Sequence, residues 1–187
     1  MSFRMPPAQL PALLLPQRPQ SLEPALKVKI EWLIYSDMPE VLHIERSTFK
    51  SYWIKEDFLH CLRQRNCIGM VAKLNHRTVG FMIYELQKAK IHVLNFAVDQ
   101  EFRRQDIGTQ MVEKLVDNLL LRRLQEIYIE VCERNLVAQL FFKRMGFKAV
   151  LVLYNHYNDT DEDAYVMRFS IADDNNAEYL PSEYYTT

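Results

Sequence analysis

Leu94-Asn95-Phe96-Ala97-Val98-Asp99-Gln100-Glu101-Phe102-Arg103-Arg104-Gln105-Asp106-Ile107-Gly108-Thr109 is the stretch in which the chain changes backbone period. Upstream, residues 92–99 form an apolar, β-rich run. Downstream, Ile107, Met111, Val112, Leu115, Val116 and Leu119 recur at helical spacing, with Glu113, Lys114 and Asp117 on the opposite side. The pattern predicts a strand over 92–99, a loop, and a helix over 107–122. A strand–loop–helix unit leaves unpaired N–H groups at the helix start, where the helix dipole favours an anion. Arg103 and Arg104 beside that start suit a pyrophosphate. The same residues also describe an arginine-rich surface turn ahead of a capped helix, and the segment alone does not choose between the two.

Working outward, the N-terminal side reads as a strand over 29–35, then Ser36-Asp37-Met38-Pro39-Glu40 as a helix start. Asp37 is the expected N-cap, Glu40 its capping-box partner, and Pro39 sits in the first turn, where a missing N–H costs nothing. A short helix is expected over 55–65, and residues 68–74 and 78–87 read as a hairpin turned by Asn75-His76-Arg77. On the C-terminal side come a strand over 126–131, a helix over 136–145 stopped by Gly146 at its C′ position, and strands over 148–154 and 164–169. The expected fold is therefore α/β (α+β): about seven strands in a mixed sheet with about four helices on both faces. Residues 1–27 hold six of the eight prolines and read as a flexible leader, whereas 171–187 carry four acidic and no basic residues and read as an acidic tail. Residues 28–170 are left as the single domain.

Composition narrows the function. A formal net charge of -1 supplies no basic field for nucleic acid. No apolar run reaches the roughly 18 residues a membrane span needs, and the apolar run 10–15 is too short and too proline-broken for a signal segment. Neither a nucleic acid nor a membrane partner is expected, and a cytoplasmic location is. Cys61, Cys67 and Cys132 lack CxxC spacing and read as reduced thiols. The five histidines form no HExxH pattern, so no metal is expected.

Glu130 breaks the apolar strand Ile127-Tyr128-Ile129-Glu130-Val131. Alternation places it with Tyr128 and Cys132, opposite Ile127, Ile129 and Val131. A carboxylate there is either a salt-bridged structural residue or a group facing a cleft, where it can serve as a general base.

Leu94-Asn95-Phe96-Ala97-Val98-Asp99, Phe102-Arg103-Arg104-Gln105-Asp106-Ile107-Gly108, Ile129-Glu130-Val131, Asn135 and Met145-Gly146-Phe147 together resemble the GNAT superfamily of acyl-CoA N-acyltransferases. Asn155-His156-Tyr157 and Glu162-Asp163-Ala164-Tyr165-Val166-Met167 resemble its RimI-like branch, the ribosomal-protein-alanine N-acetyltransferases. The resemblance spans about residues 28–169. It implies a mostly antiparallel sheet splayed at a CoA cleft and acetyl-CoA as co-substrate without a metal. The loop 103–109 (Arg103, Arg104, Gln105, Asp106, Ile107, Gly108, Thr109) would wrap the pyrophosphate, and the backbone of Phe96, Ala97 and Val98 would meet the pantetheine arm. Val98 N–H would be the oxyanion donor, while Asn135 and Phe142 would line the cofactor. Glu130 would be the general base for direct transfer to an amine. The acceptor implied is a protein or peptide N-terminus, such as that of a small-subunit ribosomal protein, with the enzyme a monomer or weak dimer. Trp53 matches an acceptor-side residue and equally suits the core.

Two residues depart from the family pattern. Asp106 replaces the first loop glycine, which leaves the turn feasible, because aspartate tolerates left-handed backbone, but places a carboxylate near the pyrophosphate. Phe142 stands where the branch has a tyrosine general acid. Two substitutes stay open, protonation by water and Tyr157, the latter a proton donor or simply a wall of the substrate pocket. His92 and His156 read as ordinary polar residues. Two other readings stay open: a lysine or small-molecule amine acetyltransferase, and a GNAT fold kept as a non-catalytic binding module.

Overall fold

The computed structural model describes residues 26–157 and 161–172. The expected leader and acidic tail lie outside these, apart from residues 26–27 and 171–172. Seven strands form one sheet: β1 (Lys29–Trp32), β2 (Cys67–Leu74), β3 (Arg77–Leu86), β4 (Lys90–Val98), β5 (Glu126–Cys132), β6 (Lys148–Tyr157) and β7 (Glu162–Ser170). Four helices accompany them: α1 (Met38–Thr48), α2 (Lys55–Leu62), α3 (Ile107–Leu121) and α4 (Leu136–Arg144). Spatial order is β1-β2-β3-β4-β5-β7-β6, and every neighbour pair is antiparallel except the parallel β4–β5 pair. The crossover between β4 and β5 is the loop and helix α3.

Local chemistry accounts for the turns. Asn75 and His76 join β2 to β3 with φ of 47° and 72°, the left-handed pair that matches a two-residue hairpin to the twist of its strands. Gly146 takes φ 86° after α4, where a glycine has no Cβ to clash. The start of α1 differs from expectation. A 3₁₀ turn at Tyr35–Asp37 precedes it, and the Asp37 carboxylate makes no capping bond. Instead it accepts from Ile34 N–H at 3.0 Å and pairs with Lys73 at 2.8 Å. Glu40 accepts the Thr78 N–H at 2.8 Å across to β3, so the expected Asp37–Glu40 capping box is replaced by a local bond to the preceding turn and by tertiary bonds to β2 and β3.

The sheet buries both faces. On one, the predicted stripe of α3 (Ile107, Met111, Val112, Leu115, Val116, Leu119) packs with Tyr84, Ile91, Val93, Ile127, Ile129 and Phe147. On the other, Met38, Val41 and Ile44 of α1 and Phe58 of α2 pack with Val71, Phe81, Ile83 and Ala97. Cys61 and Cys67, read above as reduced thiols, are corrected: they form a disulfide with Cα atoms 6.1 Å apart. The turn after α2 reverses the chain, with Gln64 N–H bonded to Cys61 O and Cys67 N–H to Gln64 O. That reversal brings the first residue of β2 back onto the last turn of α2, a proximity that linear spacing does not display. Cys132 is the free cysteine.

Candidate active site

The cleft comes from one extra residue. Ile83 pairs with Asn95 and the next residue, Tyr84, with Val93, so Leu94 is a bulge in β4. A bulge bends its strand and ends regular pairing. β4 and β5 accordingly stay in register only from Lys90↔Glu126 to Val93↔Ile129. Beyond that point the ends of β4 and β5 part. Asp99 N–H donates to Val79 O of β3 at 3.0 Å. Backbone N–H groups alternate sides along a strand, so Val98 and Phe96 direct theirs away from β3 into the opening. Ala97, paired opposite Phe81, directs its own toward β3. Of the three residues expected to meet a pantetheine arm, two therefore present backbone to the cleft and Ala97 does not.

The loop leading to α3 is shaped by two left-handed residues, Arg104 (φ 65°) and Asp106 (φ 67°). Aspartate thus adopts the conformation for which the glycine it replaces is suited. Their reversal turns the amides of residues 106–109 outward at the N-terminus of a 15-residue helix, a site suited to phosphate oxygens. Gly108 lets the start of α3 sit close on the aromatic cluster, since a Cβ there would stand 3.3 Å from Phe141 Cζ and 3.7 Å from Phe96 Cζ. The unpaired amides of this helix start fit a pyrophosphate. The loop side chains divide. Arg103 is spent on structure, with Nε on Val98 O at 3.0 Å and Nη2 on Thr48 Oγ1 at 3.1 Å. Gln105 binds Glu101 O, and Ile107 and Thr109 are buried. Arg104 is the exposed arginine left to face an anion.

Glu130 lies on β5 just past its last pairing with β4. Both carboxylate oxygens meet His92 Nε2, at 2.9 and 2.7 Å. A carboxylate only accepts, so Nε2 carries the proton and donates it into the bond. His92 pairs in register with Tyr128, which puts it on the face of the sheet that Glu130 shares. His92, read from sequence as an ordinary polar residue, is therefore corrected to the partner of Glu130. The signal was parity along two strands, usable only once β4 and β5 were known to be parallel neighbours.

Tyr157 ends β6, with its phenol pushed up to about 12 by burial first, then by Cys132, Glu130 and Glu162 beside it. Asn135 caps α4, its side-chain oxygen accepting Ala138 N–H at 3.1 Å. Phe142 is buried in an aromatic cluster, with ring centroids 5.0 to 5.9 Å from Phe141, Phe147 and Phe96. Trp53 packs its ring edge-on against Phe58 at 5.3 Å, so it belongs to the core on the α1–α2 side.

A parallel strand pair that parts after Val93, a helix start suited to an anion and a carboxylate at the opening are the parts an acyl-CoA-dependent transferase needs. The model of the Acetyltransferase (GNAT) family matches residues 30–147, and the chain belongs to that family of acetyltransferases. It is 27% identical over 139 residues to the ribosomal protein bS18-alanine N-acetyltransferase of Escherichia coli K12, covering 73% of this chain and 93% of that one. It is 28% identical over 144 residues to an N-alpha-acetyltransferase of Saccharolobus solfataricus, covering 70% and 86%. The crystal structure of the ribosomal-protein-S18-alanine N-acetyltransferase from Escherichia coli superposes with a TM-score of 0.71 at 26% identity, over 82% of this chain and 100% of that one.

Proposed function

We propose that this protein moves acetyl from acetyl-CoA directly to the α-amine of a protein N-terminus, with an alanine-led ribosomal protein as the first acceptor to test. The observation that carries this reading is the Glu130–His92 pair at the mouth of the β4–β5 opening, on the face opposite α3. The relatives named for N-terminal acetylation support the acceptor class.

Acetyl-CoA brings the acetyl group as a thioester. The amides of residues 106–109, with Arg104, hold its pyrophosphate, and the backbone of Phe96 and Val98 receives the arm. An ammonium has no lone pair, so Glu130 takes a proton from the incoming amine through a water. His92 Nε2–H holds the carboxylate in place. The C–N bond then forms as the C–S bond breaks, and Val98 N–H stabilises the carbonyl oxygen as it gains charge.

Acidity argues against Tyr157 as the proton donor to the thiolate. A thiol has a pKa of about 8.5. The Tyr157 phenol stands at about 12. Proton transfer from phenol to thiolate therefore runs uphill by about 5 kcal/mol. Tyr157 donates a hydrogen bond in the acceptor pocket and keeps its proton, while the thiolate is protonated by solvent.

The test is a calorimetric titration of acetyl-CoA, followed by turnover with alanine-led peptides carrying a free or a blocked N-terminus. Binding lost on Arg104→Ala, and turnover confined to the free N-terminus, is the expected result. Turnover of blocked peptides at an internal lysine would move the acceptor to the lysine class.

A further inference from the structure

Glu45 takes no part in the chemistry above, yet it is only 1% exposed on α1. Among the described residues its carboxylate has two neutral partners. Oε1 accepts Trp53 N–H at 2.8 Å and Oε2 accepts Asn95 Nδ2 at 3.1 Å. Burial raises its pKa, an effect the two bonds only oppose. A buried carboxylate without a cation is a cost to folding, so the position of its partners matters. Trp53 belongs to the segment between α1 and α2. Asn95 is the β4 residue next to the bulge, past the last β4–β5 pairing and three residues before Val98. Because Glu45 takes the amide nitrogen, the orientation of the Asn95 amide is set by chemistry: nitrogen toward α1, oxygen elsewhere. That oxygen is buried and has no hydrogen-bond partner, which leaves an acceptor that still requires a donor.

We propose that Glu45 is a positioning residue that holds Asn95 so that its Oδ1 accepts a hydrogen bond from the nitrogen of the acceptor amine at the splayed end of β4. Asn95 is then the substrate-contacting residue, and Glu45 acts through it while tying the Trp53 segment to the same strand. The inference rests on the N-terminal acetyltransferase reading above. It adds a neutral acceptor opposite the base, so that the amine is oriented by Asn95 and deprotonated through Glu130. A neutral amide suits this part, since it binds the amine before and after proton loss.

The probe is a bisubstrate conjugate, CoA joined through an acetyl bridge to the nitrogen of an alanine-led hexapeptide. Its affinity is measured against that of acetyl-CoA for wild type, Glu45→Gln, Asn95→Ala and the double variant. With glutamine at 45, the amide at that position must supply a donor to Asn95, which turns Oδ1 inward and away from substrate. The expected result is that wild type binds the conjugate more tightly than acetyl-CoA and that each single variant loses about tenfold of that gain. Acetyl-CoA affinity stays unchanged, and the double variant is no worse than either single one. A merely structural role for Glu45 would weaken both ligands together. Retention of the full gain by Asn95→Ala overturns the inference, as do additive losses in the double variant. A wild type that gains nothing from the peptide overturns the N-terminal reading itself, so the two failures are distinct.

Discussion

Glu130 and His92 form the pair on which the proposed chemistry turns, and each makes a separate prediction. Glu130→Gln keeps the shape of the side chain and removes the base, so turnover should fall by about 10²–10⁴ while acetyl-CoA affinity, measured by calorimetry, stays within twofold. Unchanged turnover would remove Glu130 from the mechanism. His92→Ala frees the carboxylate without removing it and should cost less than the Glu130 change. Phe142 sits among Phe96, Phe141 and Phe147 and is 4% exposed. A tyrosine hydroxyl added there meets apolar rings. Phe142→Tyr should therefore destabilise the protein by about 1–3 kcal/mol in urea unfolding without raising turnover. A rise in turnover would mean that the missing hydroxyl had been limiting.

At the scale of the element, the loop before α3 joins a favourable backbone to an unfavourable side chain. Asp106 holds φ 67° and ψ 9°, a conformation that glycine adopts freely. Replacement by glycine keeps the turn and removes a negative charge beside a bound pyrophosphate. Like charges at a half-buried site near the surface are worth about 0.5–1 kcal/mol, so Asp106→Gly should bind acetyl-CoA roughly two- to fivefold more tightly by calorimetric titration, and more so at low salt. Affinity equal to wild type would show that the carboxylate already points away from the site. The bulge at Leu94 is the other element-scale device, because it ends β4–β5 pairing and turns the Val98 amide from a ladder bond into a donor facing the opening.

Two predictions belong to the whole molecule. The Cys61–Cys67 disulfide closes a loop of sequence separation 6, for which the chain-entropy relation gives about 2 kcal/mol. Reductant should lower the melting temperature of wild type and leave Cys61→Ala unmoved. An equal response of both proteins would mean that the link contributes nothing. The second concerns Glu45, whose carboxyl is held above its ordinary 4.5 by burial. The folded state then binds its proton more tightly than the unfolded chain. The group is least costly below that ordinary value, and its contribution is lost as pH rises through the folded value. Relative to wild type, Glu45→Gln should therefore gain stability as pH is raised from about 4 toward neutrality, read from paired thermal melts. A difference that does not move with pH would show that Glu45 titrates as it does in the unfolded chain.

Several features were determined by the order of residues alone, for physical reasons confined to short stretches of chain. The 3.6-residue stripe from Ile107 to Leu119 specifies α3, because one apolar face must find the sheet. The Asn75-His76 turn specifies the β2–β3 hairpin, because few residues tolerate left-handed backbone in succession. The change of period at Ile107 specifies where α3 begins, while leaving open whether that start holds an anion. Glu130 was visible as a carboxylate out of place in an apolar strand. Other features depended on which strands become neighbours, and that is set by long-range packing. The partnership of His92 with Glu130 required β4 and β5 to lie parallel. The commitment of Asp37 to Lys73, and of Glu40 to Thr78, required β2 and β3 to pass beneath α1. Cys61 met Cys67 through the turn that reverses the chain. The inward turn of the Ala97 backbone and the oxygen left over on Asn95 both follow from a single inserted residue in β4, whose effect on register exists only once β3 is paired beside it.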